Sequence, residues 1–228
     1  MESYLTLLDN KIIIGNTIED VWRDAMWCCV RNGYDYRIEK GSYEGQIRRQ
    51  LDNVMIKILN PGTRPLAVRT PENLPFSVVT EDYIEEYFME KILSDKKSKN
   101  EDYTYGQYIV EQIDKVIGIL LNYKNTNHAV IEIGNGNSID FDDPPCLKLI
   151  DFKVVNNKLN MHLYFRSWSV VEGLPVNLGG LQLLKEYILT YLGIDDGEII
   201  AYSSGLHIYD HHFDIVNMLN VDKIEKYS

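Results

Sequence analysis

The sequence predicts an α/β (α+β) fold in a single domain spanning residues 1–228. Three observations carry this expectation. Short runs of β-formers recur along the chain, at 11–14, 54–59, 129–133, 147–155, 159–167 and 198–202. Apolar stripes at helical spacing stand between them, beginning at Ile18, Ile84, Ile109 and Leu178. The length of 228 residues fits one domain with a substantial core, and 45% hydrophobic with 25% charged residues is ordinary for a globular protein.

Lys11-Ile12-Ile13-Ile14 reads as a short strand, and Gly15-Asn16 leads into a helix. Asn16 is placed to cap that helix, with Glu19 answering it. Its stripe is Ile18, Val21, Trp22, Ala25, Cys28 and Cys29, and Asn32-Gly33 ends it. Cys28 and Cys29 therefore read as packing residues. The segment from Tyr36 to Arg49 holds Gly41, Gly45 and several charges, and reads as a loop. Arg48 and Arg49, just before the strand from Val54, read either as phosphate contacts or as a solvated charged pair. Asn60-Pro61-Gly62-Thr63 is a turn, and Arg64 to Pro75 an irregular connection.

Helical spacing returns at Ile84, Tyr87, Phe88 and Ile92, in a helix that also carries Glu85 and Glu86. After a charged loop from Ser94 to Asp102, Tyr103-Thr104-Tyr105-Gly106 opens a helix with the stripe Ile109, Ile113, Val116, Ile117, Leu120 and Leu121. Asn125-Thr126-Asn127-His128 precedes the strand at 129–133. Gly134-Asn135-Gly136-Asn137 reads as a flexible turn rather than a phosphate loop, because no lysine or helix start follows.

Two prolines, Pro144 and Pro145, give the lone Cys146 a restricted backbone approach. The strand-like runs Leu147 to Val155 and Leu159 to Ser167 are separated by Asn156-Asn157-Lys158, which reads as a hairpin. A hairpin returns the end of its second strand to the start of its first, so Arg166 is expected near Cys146. A guanidinium beside a thiol favours the thiolate, which is the nucleophile. A small buried hydrophobe is the other reading of a lone cysteine. Beyond the hairpin, Leu178, Leu181, Leu184, Tyr187, Ile188 and Tyr191 line a helix that stops at Gly193. In His207-Ile208-Tyr209, alternation puts His207 and Tyr209 on one face if the segment is extended.

The formal charge of −11 argues against non-specific binding to nucleic acid or an anionic membrane. A small anionic substrate is still allowed where arginines cluster. Three cysteines, two of them adjacent, make neither a disulfide framework nor a zinc pattern, so a reducing, cytoplasmic setting is expected. Met1 to Asn10 lacks the features of a signal peptide, and no stretch approaches the ~20 apolar residues of a membrane span. Asp210, His211, His212 and Asp214 show no repeating ligand spacing, and no metal is expected there.

Pro145-Cys146, Arg166-Ser167, Gly173-Leu174-Pro175-Val176-Asn177 and His207-Ile208-Tyr209 together resemble the signature of the thymidylate synthase family. The spacings match as well, and Pro-Pro-Cys-Leu with Phe-Arg-Ser-Trp resembles its short, archaeal-type branch. The resemblance covers roughly the second half of the chain. It implies a large mixed sheet flanked by helices, a cytoplasmic homodimer, and a transferase of dTMP biosynthesis. Its substrate would be dUMP or a related pyrimidine nucleotide. Its co-substrate would be 5,10-methylenetetrahydrofolate or a modified pterin analogue.

By the same resemblance, Cys146 thiolate adds to C6 of uracil, C5 attacks the folate methylene, and folate is eliminated and returns a hydride, giving dTMP and dihydrofolate. Asn177 would read the ring, donating to O4 and accepting from N3–H. Its plainer reading is a cap before Leu178. Arg166 and Ser167 would bind phosphate, with Arg48, Arg49 and His128 as further contacts. His207 and Tyr209 would hold the sugar hydroxyl. Tyr105 would lie near the reacting ring, or be a core tyrosine with its hydroxyl satisfied. Glu85 or Glu86 would order water beside the pyrimidine, or simply be surface carboxylates. Ser169 and Gly173 would face the folate. Three departures stand out. Asn127 replaces an arginine that reaches the partner's phosphate, with His128 a partial substitute when protonated. Ser169 replaces an aspartate on the pterin. The chain runs only a short way past Tyr209, so less closure and more water at the intermediate are expected. These departures keep open a pyrimidine nucleotide 5-hydroxymethylase, or a nucleotide-binding relative without turnover.

Overall fold

β-branched and aliphatic residues alternating along the strands assemble into two sheets. The computed structural model describes residues 10–70, 77–99 and 101–219. The larger sheet runs in the order β1 (Lys11–Gly15), β4 (Val54–Ile58), β9 (Asp195–Ser203), β7 (Lys158–Phe165), β6 (Leu147–Val155), β5 (Val130–Glu132). It is mixed: β1 with β4 and β7 with β9 are parallel, and the other neighbours are antiparallel. One cross-strand row explains its cohesion. Ile13, Ile56, Ala201, Leu163, Ile150 and Ile131 pair in succession across all six strands, and all are buried. The neighbouring row, Ile12, Met55, Tyr202 and Tyr164, points to the other face, where Ile12 is 60% exposed.

The second sheet has the order β2 (Tyr34–Arg37), β3 (Ile47–Leu51), β10 (Leu206–Tyr209), β8 (Trp168–Ser169). It corrects the expectation of a loop from Tyr36 to Arg49. Both ends of that segment are strand, and only the turn holding Gly41 and Gly45 is irregular. These strands are too polar to announce themselves. They form because β10 offers β3 an antiparallel edge, with Tyr209 opposite Arg48 and Ile208 opposite Arg49.

Among the described residues, five α-helices complete the fold: α1 (Ile18–Asn32), α2 (Glu81–Tyr87), α3 (Gly106–Asn122), α4 (Gly173–Leu192) and α5 (Phe213–Met218). The cap of α1 is Thr17, not Asn16. Its hydroxyl accepts from Asp20 N at 3.2 Å, and the Asp20 carboxylate accepts from Thr17 N at 2.9 Å. Glu19 instead pairs with Arg23 and Arg69. Helix α2 continues into a wider π turn over Phe88–Ile92. Helix α4 starts five residues before Leu178, so Asn177 lies inside it and caps nothing, and it stops at Gly193 in the left-handed region (φ 61). It is buried along most of its surface, against the sheet and against α1, α2 and α3. Gly179 and Gly180 allow α2 that close. A Cβ on Gly180 would lie 2.7 Å from the Tyr87 ring, and one on Gly179 would lie 2.8 Å from Ile84. The expected irregular connection is seen from Arg64 to Thr70, and its remaining part, 71–76, lies outside the described residues. Among the described residues no helix is long and apolar enough to cross a membrane.

Candidate active site

The hairpin forms as its turn residues dictate. Asn156 and Asn157 take positive φ (51 and 59), the two-residue turn whose twist matches paired strands. The register then runs from Val155 opposite Lys158 back to Leu147 opposite Phe165. The next residues, Cys146 and Arg166, lie side by side: Arg166 N donates to Cys146 O at 2.9 Å. The Arg166 Nη2 stands 3.9 Å from Cys146 Sγ. Its guanidinium also donates to the Pro144 and Pro145 carbonyls and reaches Asp143 at 3.5 Å. The two prolines therefore anchor the arginine as well as constrain the cysteine.

Cys146 and Arg166 open onto a cavity of about 330 Å³, at the small end of small-molecule sites. The cavity is also lined by Arg48, Tyr105, Ser167, Ser169, Gly173, Asn177, His207 and Tyr209. Residues from β3, β8, β10, α4 and the start of α3 thus converge on the hairpin's mouth. Arg49 and His128 are not brought there. Arg48 and Arg49 share β3, and the period of two sends them to opposite faces. Arg48 donates to the hydroxyls of Tyr36 (3.1 Å) and Tyr209 (3.0 Å), while Arg49 pairs with Asp35 at 2.7 Å. His128 is exposed just before β5. Glu85 and Glu86 are exposed too, and the residue of that helix that reaches the cavity wall is Tyr87.

Burial dominates the electrostatics. It raises the Cys146 thiol above the ordinary cysteine range, and the opposing pull of Arg166 does not overcome it; Asp143 adds to the rise. Burial therefore works against the expected thiolate, and Arg166 works for it. Burial, with help from Arg48, pushes His207 down to about 3, so its ring is neutral. Its Nδ1–H donates to Gly205 O at 2.9 Å, which leaves Nε2 an acceptor, buried and without a hydrogen-bond partner. The Tyr209 hydroxyl accepts from Arg48, so its own proton is free to donate. An acceptor and a donor on alternate β10 positions, and so on one face, suit a ligand hydroxyl. The Arg48 Nε is likewise buried without a partner. The Tyr105 hydroxyl, held protonated by burial, accepts from Leu147 N at 3.3 Å. The reading of a tyrosine with a satisfied hydroxyl therefore holds, and the same residue lines the cavity. Gly106 fixes its place, since a Cβ there would fall 1.9 Å from Ser94 O.

Asn177 points from the second turn of α4 at two partners. Trp168 Nε1 donates to its Oδ1 at 3.0 Å, and its Nδ2 donates to the Tyr87 hydroxyl at 2.7 Å. Sequence reasoning assigned no role to Trp168, Tyr87, Lys40 or Tyr43, although Trp168, Lys40 and Tyr43 line the cavity. Trp168 stood inside a quoted motif and was legible as a position without a role. Lys40 and Tyr43 carried no signal, because their segment read as loop. Among the described residues, no His, Cys, Asp and Glu side chains group as a metal site.

Comparison with known proteins agrees with this geometry. The thymidylate synthase family pattern matches residues 82–225. A Methanosarcina barkeri protein named "putative thymidylate synthase" is 32% identical over 90% of this chain and 93% of its own. A Methanococcoides burtonii protein of the same name is 31% identical, covering 95% and 94%. The thermostable thymidylate synthase A of Bacillus subtilis shares the fold, with a TM-score of 0.68 at 18% identity over 89% of this chain and 83% of that one. With the family pattern matched over more than half of the chain, and relatives about 30% identical along nine-tenths of it, this chain is a member of the thymidylate synthase family.

Proposed function

We propose that this protein, as one domain over 1–228, methylates C5 of a uracil nucleotide, dUMP, by way of a covalent adduct on Cys146. The observation that carries this reading is the convergence of Cys146 Sγ, Arg166, Asn177 and the unpartnered His207 Nε2 on one cavity. Cys146 supplies the nucleophile that adds to C6 and leaves C5 electron-rich. Since burial favours the thiol, the sulfur gives its proton to solvent water as it bonds to C6, and Arg166 at 3.9 Å favours that loss without accepting the proton itself. Asn177 orients the ring. Arg48 and Arg166, with Ser167, bind the phosphate. His207 accepts from the sugar hydroxyl and Tyr209 donates to it.

The one-carbon donor of the family, 5,10-methylenetetrahydrofolate, fits the wall at Ser169 and Gly173. A Cβ on Gly173 would occupy the space 3.4 Å from Ser169 Cβ and 3.9 Å from Asn177 Oδ1, so the glycine keeps a flat surface there. When bound, this donor supplies the methylene carbon and the hydride. A neighbouring cleft of about 480 Å³ shares Tyr105, Asp142 and Asp143 with the cavity and gives the donor's remaining bulk a place. The exposed apolar row on the outer sheet face supports a homodimer formed sheet to sheet.

The test is release of tritium from C5-labelled dUMP in the presence of methylenetetrahydrofolate, followed by the product's mass. Release with a methyl product is expected. Folded protein without release sinks the enzyme reading, and a hydroxymethyl product replaces it with the hydroxymethylase that Ser169 keeps in play.

A further inference from the structure

We infer that Trp168 sets the preference for uracil over cytosine by preventing the Asn177 amide from turning over. This rests on the reading of a uracil nucleotide as substrate.

A primary amide has a donor end and an acceptor end of nearly the same shape. One orientation of Asn177 matches uracil, accepting from N3–H and donating to O4. The other matches cytosine, donating to N3 and accepting from the exocyclic amine. An amide free to rotate would serve both bases. Here the indole N–H of Trp168 faces Oδ1 at 3.0 Å. An indole nitrogen donates only, so a turned amide would set two donors head to head at that distance in a partly buried contact. Tyr87, at 2.7 Å from Nδ2, does not discriminate in this way, because a hydroxyl can accept from Nδ2 or donate to Oδ1.

Trp168 cannot easily yield. It is 2% exposed, stacks on Phe165 with ring centres 3.9 Å apart, and is held in β8 by pairing with Leu206. With one lone pair of Oδ1 taken by Trp168 and one Nδ2 hydrogen by Tyr87, one acceptor and one donor remain for the base, in the uracil order. Trp168 is thus a positioning residue that acts through Asn177.

The experiment is calorimetric titration of the full chain with dUMP and with dCMP, for the unmodified protein, Trp168→Phe, Tyr87→Phe, and Asn177→Asp with and without Trp168→Phe. The unmodified protein should prefer dUMP. Trp168→Phe keeps a ring against Phe165 but removes the donor, and the dUMP:dCMP affinity ratio should fall by about tenfold or more. Tyr87→Phe should weaken both nucleotides and leave the ratio alone. In the Asn177→Asp background both side-chain oxygens accept, so adding Trp168→Phe should leave the ratio unchanged. A folded Trp168→Phe protein with an unaltered ratio overturns the inference and spares the proposed substrate. An unmodified protein with no preference for dUMP overturns both. Should Trp168→Phe not fold, the indole N–H resonance of Trp168 decides in the unmodified protein. It should stay at a hydrogen-bonded position when dUMP binds, and a shift to that of a free indole overturns the lock.

Discussion

The two hairpins that meet at the cavity are built on different terms. The hairpin of β6 and β7 carries its instructions locally: long alternating strands joined by Asn156-Asn157 in the left-handed region. The hairpin of β2 and β3 has short strands, Tyr-Asp-Tyr-Arg and Ile-Arg-Arg-Gln-Leu, polar on both faces and joined by a nine-residue irregular turn, 38–46. Its strand character depends on β10, which arrives from more than 150 residues later in the chain. The first delivers Cys146 and Arg166, and the second delivers Arg48 along with the cavity rim at Lys40 and Tyr43. A cavity assembled from one locally coded and one borrowed hairpin exists only when both sheets have formed and packed.

The strongest way to break this comparison is at the locally coded hairpin. Cys146→Ala should abolish tritium release by at least about a thousandfold while nucleotide binding persists. Residual turnover within tenfold of the unmodified protein would remove the cysteine from the mechanism. The same sulfur predicts the pH profile. Burial raises its thiol above the ordinary range, so below that value the thiolate fraction grows about tenfold per pH unit. The logarithm of kcat/KM should climb with a slope near one from about pH 7 to 8.5, where a flat profile would mean that the thiol is already ionised.

The borrowed hairpin is tested next. Arg48→Ala should weaken dUMP binding by about ten- to a hundredfold, the range of one charge-assisted hydrogen bond lost from a buried site. The turn of the first hairpin comes after it. Asn157→Ala removes the short polar side chain that makes the left-handed region tolerable for a residue with a β-carbon, and should cost about 1 kcal/mol in a urea titration, with Asn157→Gly close to neutral. Arg49→Ala is expected to do least. Its pair with Asp35 is partly exposed, so stability should change by about 1 kcal/mol or less and dUMP affinity by no more than about twofold. Equal effects of Arg48→Ala and Arg49→Ala on binding would mean that the alternation of β3 does not divide their roles.

Legibility in the sequence follows the same division. Cys146, Arg166 and the turn between their strands could be placed because neighbours a few residues apart settle a two-residue turn and a register. His207 and Tyr209 could be put on one face by alternation alone. Arg48 could not be separated from Arg49, because the segment's period was hidden by polar residues on both faces. Glu85 and Glu86 are singled out by the family resemblance alone, whereas Tyr87 reaches the site because Gly179 and Gly180 let α2 close on α4. The cap of α1 fell to Thr17 over Asn16 by one residue of register.

By itself, then, the sequence determined the secondary-structure rhythm, the Cys146–Arg166 pairing and the family, since these depend on short-range turn chemistry and on motif order. Only the tertiary structure decided which arginine faces the cavity, that burial opposes the thiolate at Cys146, and which way the Asn177 amide points. Each of those depends on groups far apart in the chain and on the removal of water around them, and desolvation is a property of the packed molecule that no local run of residues carries.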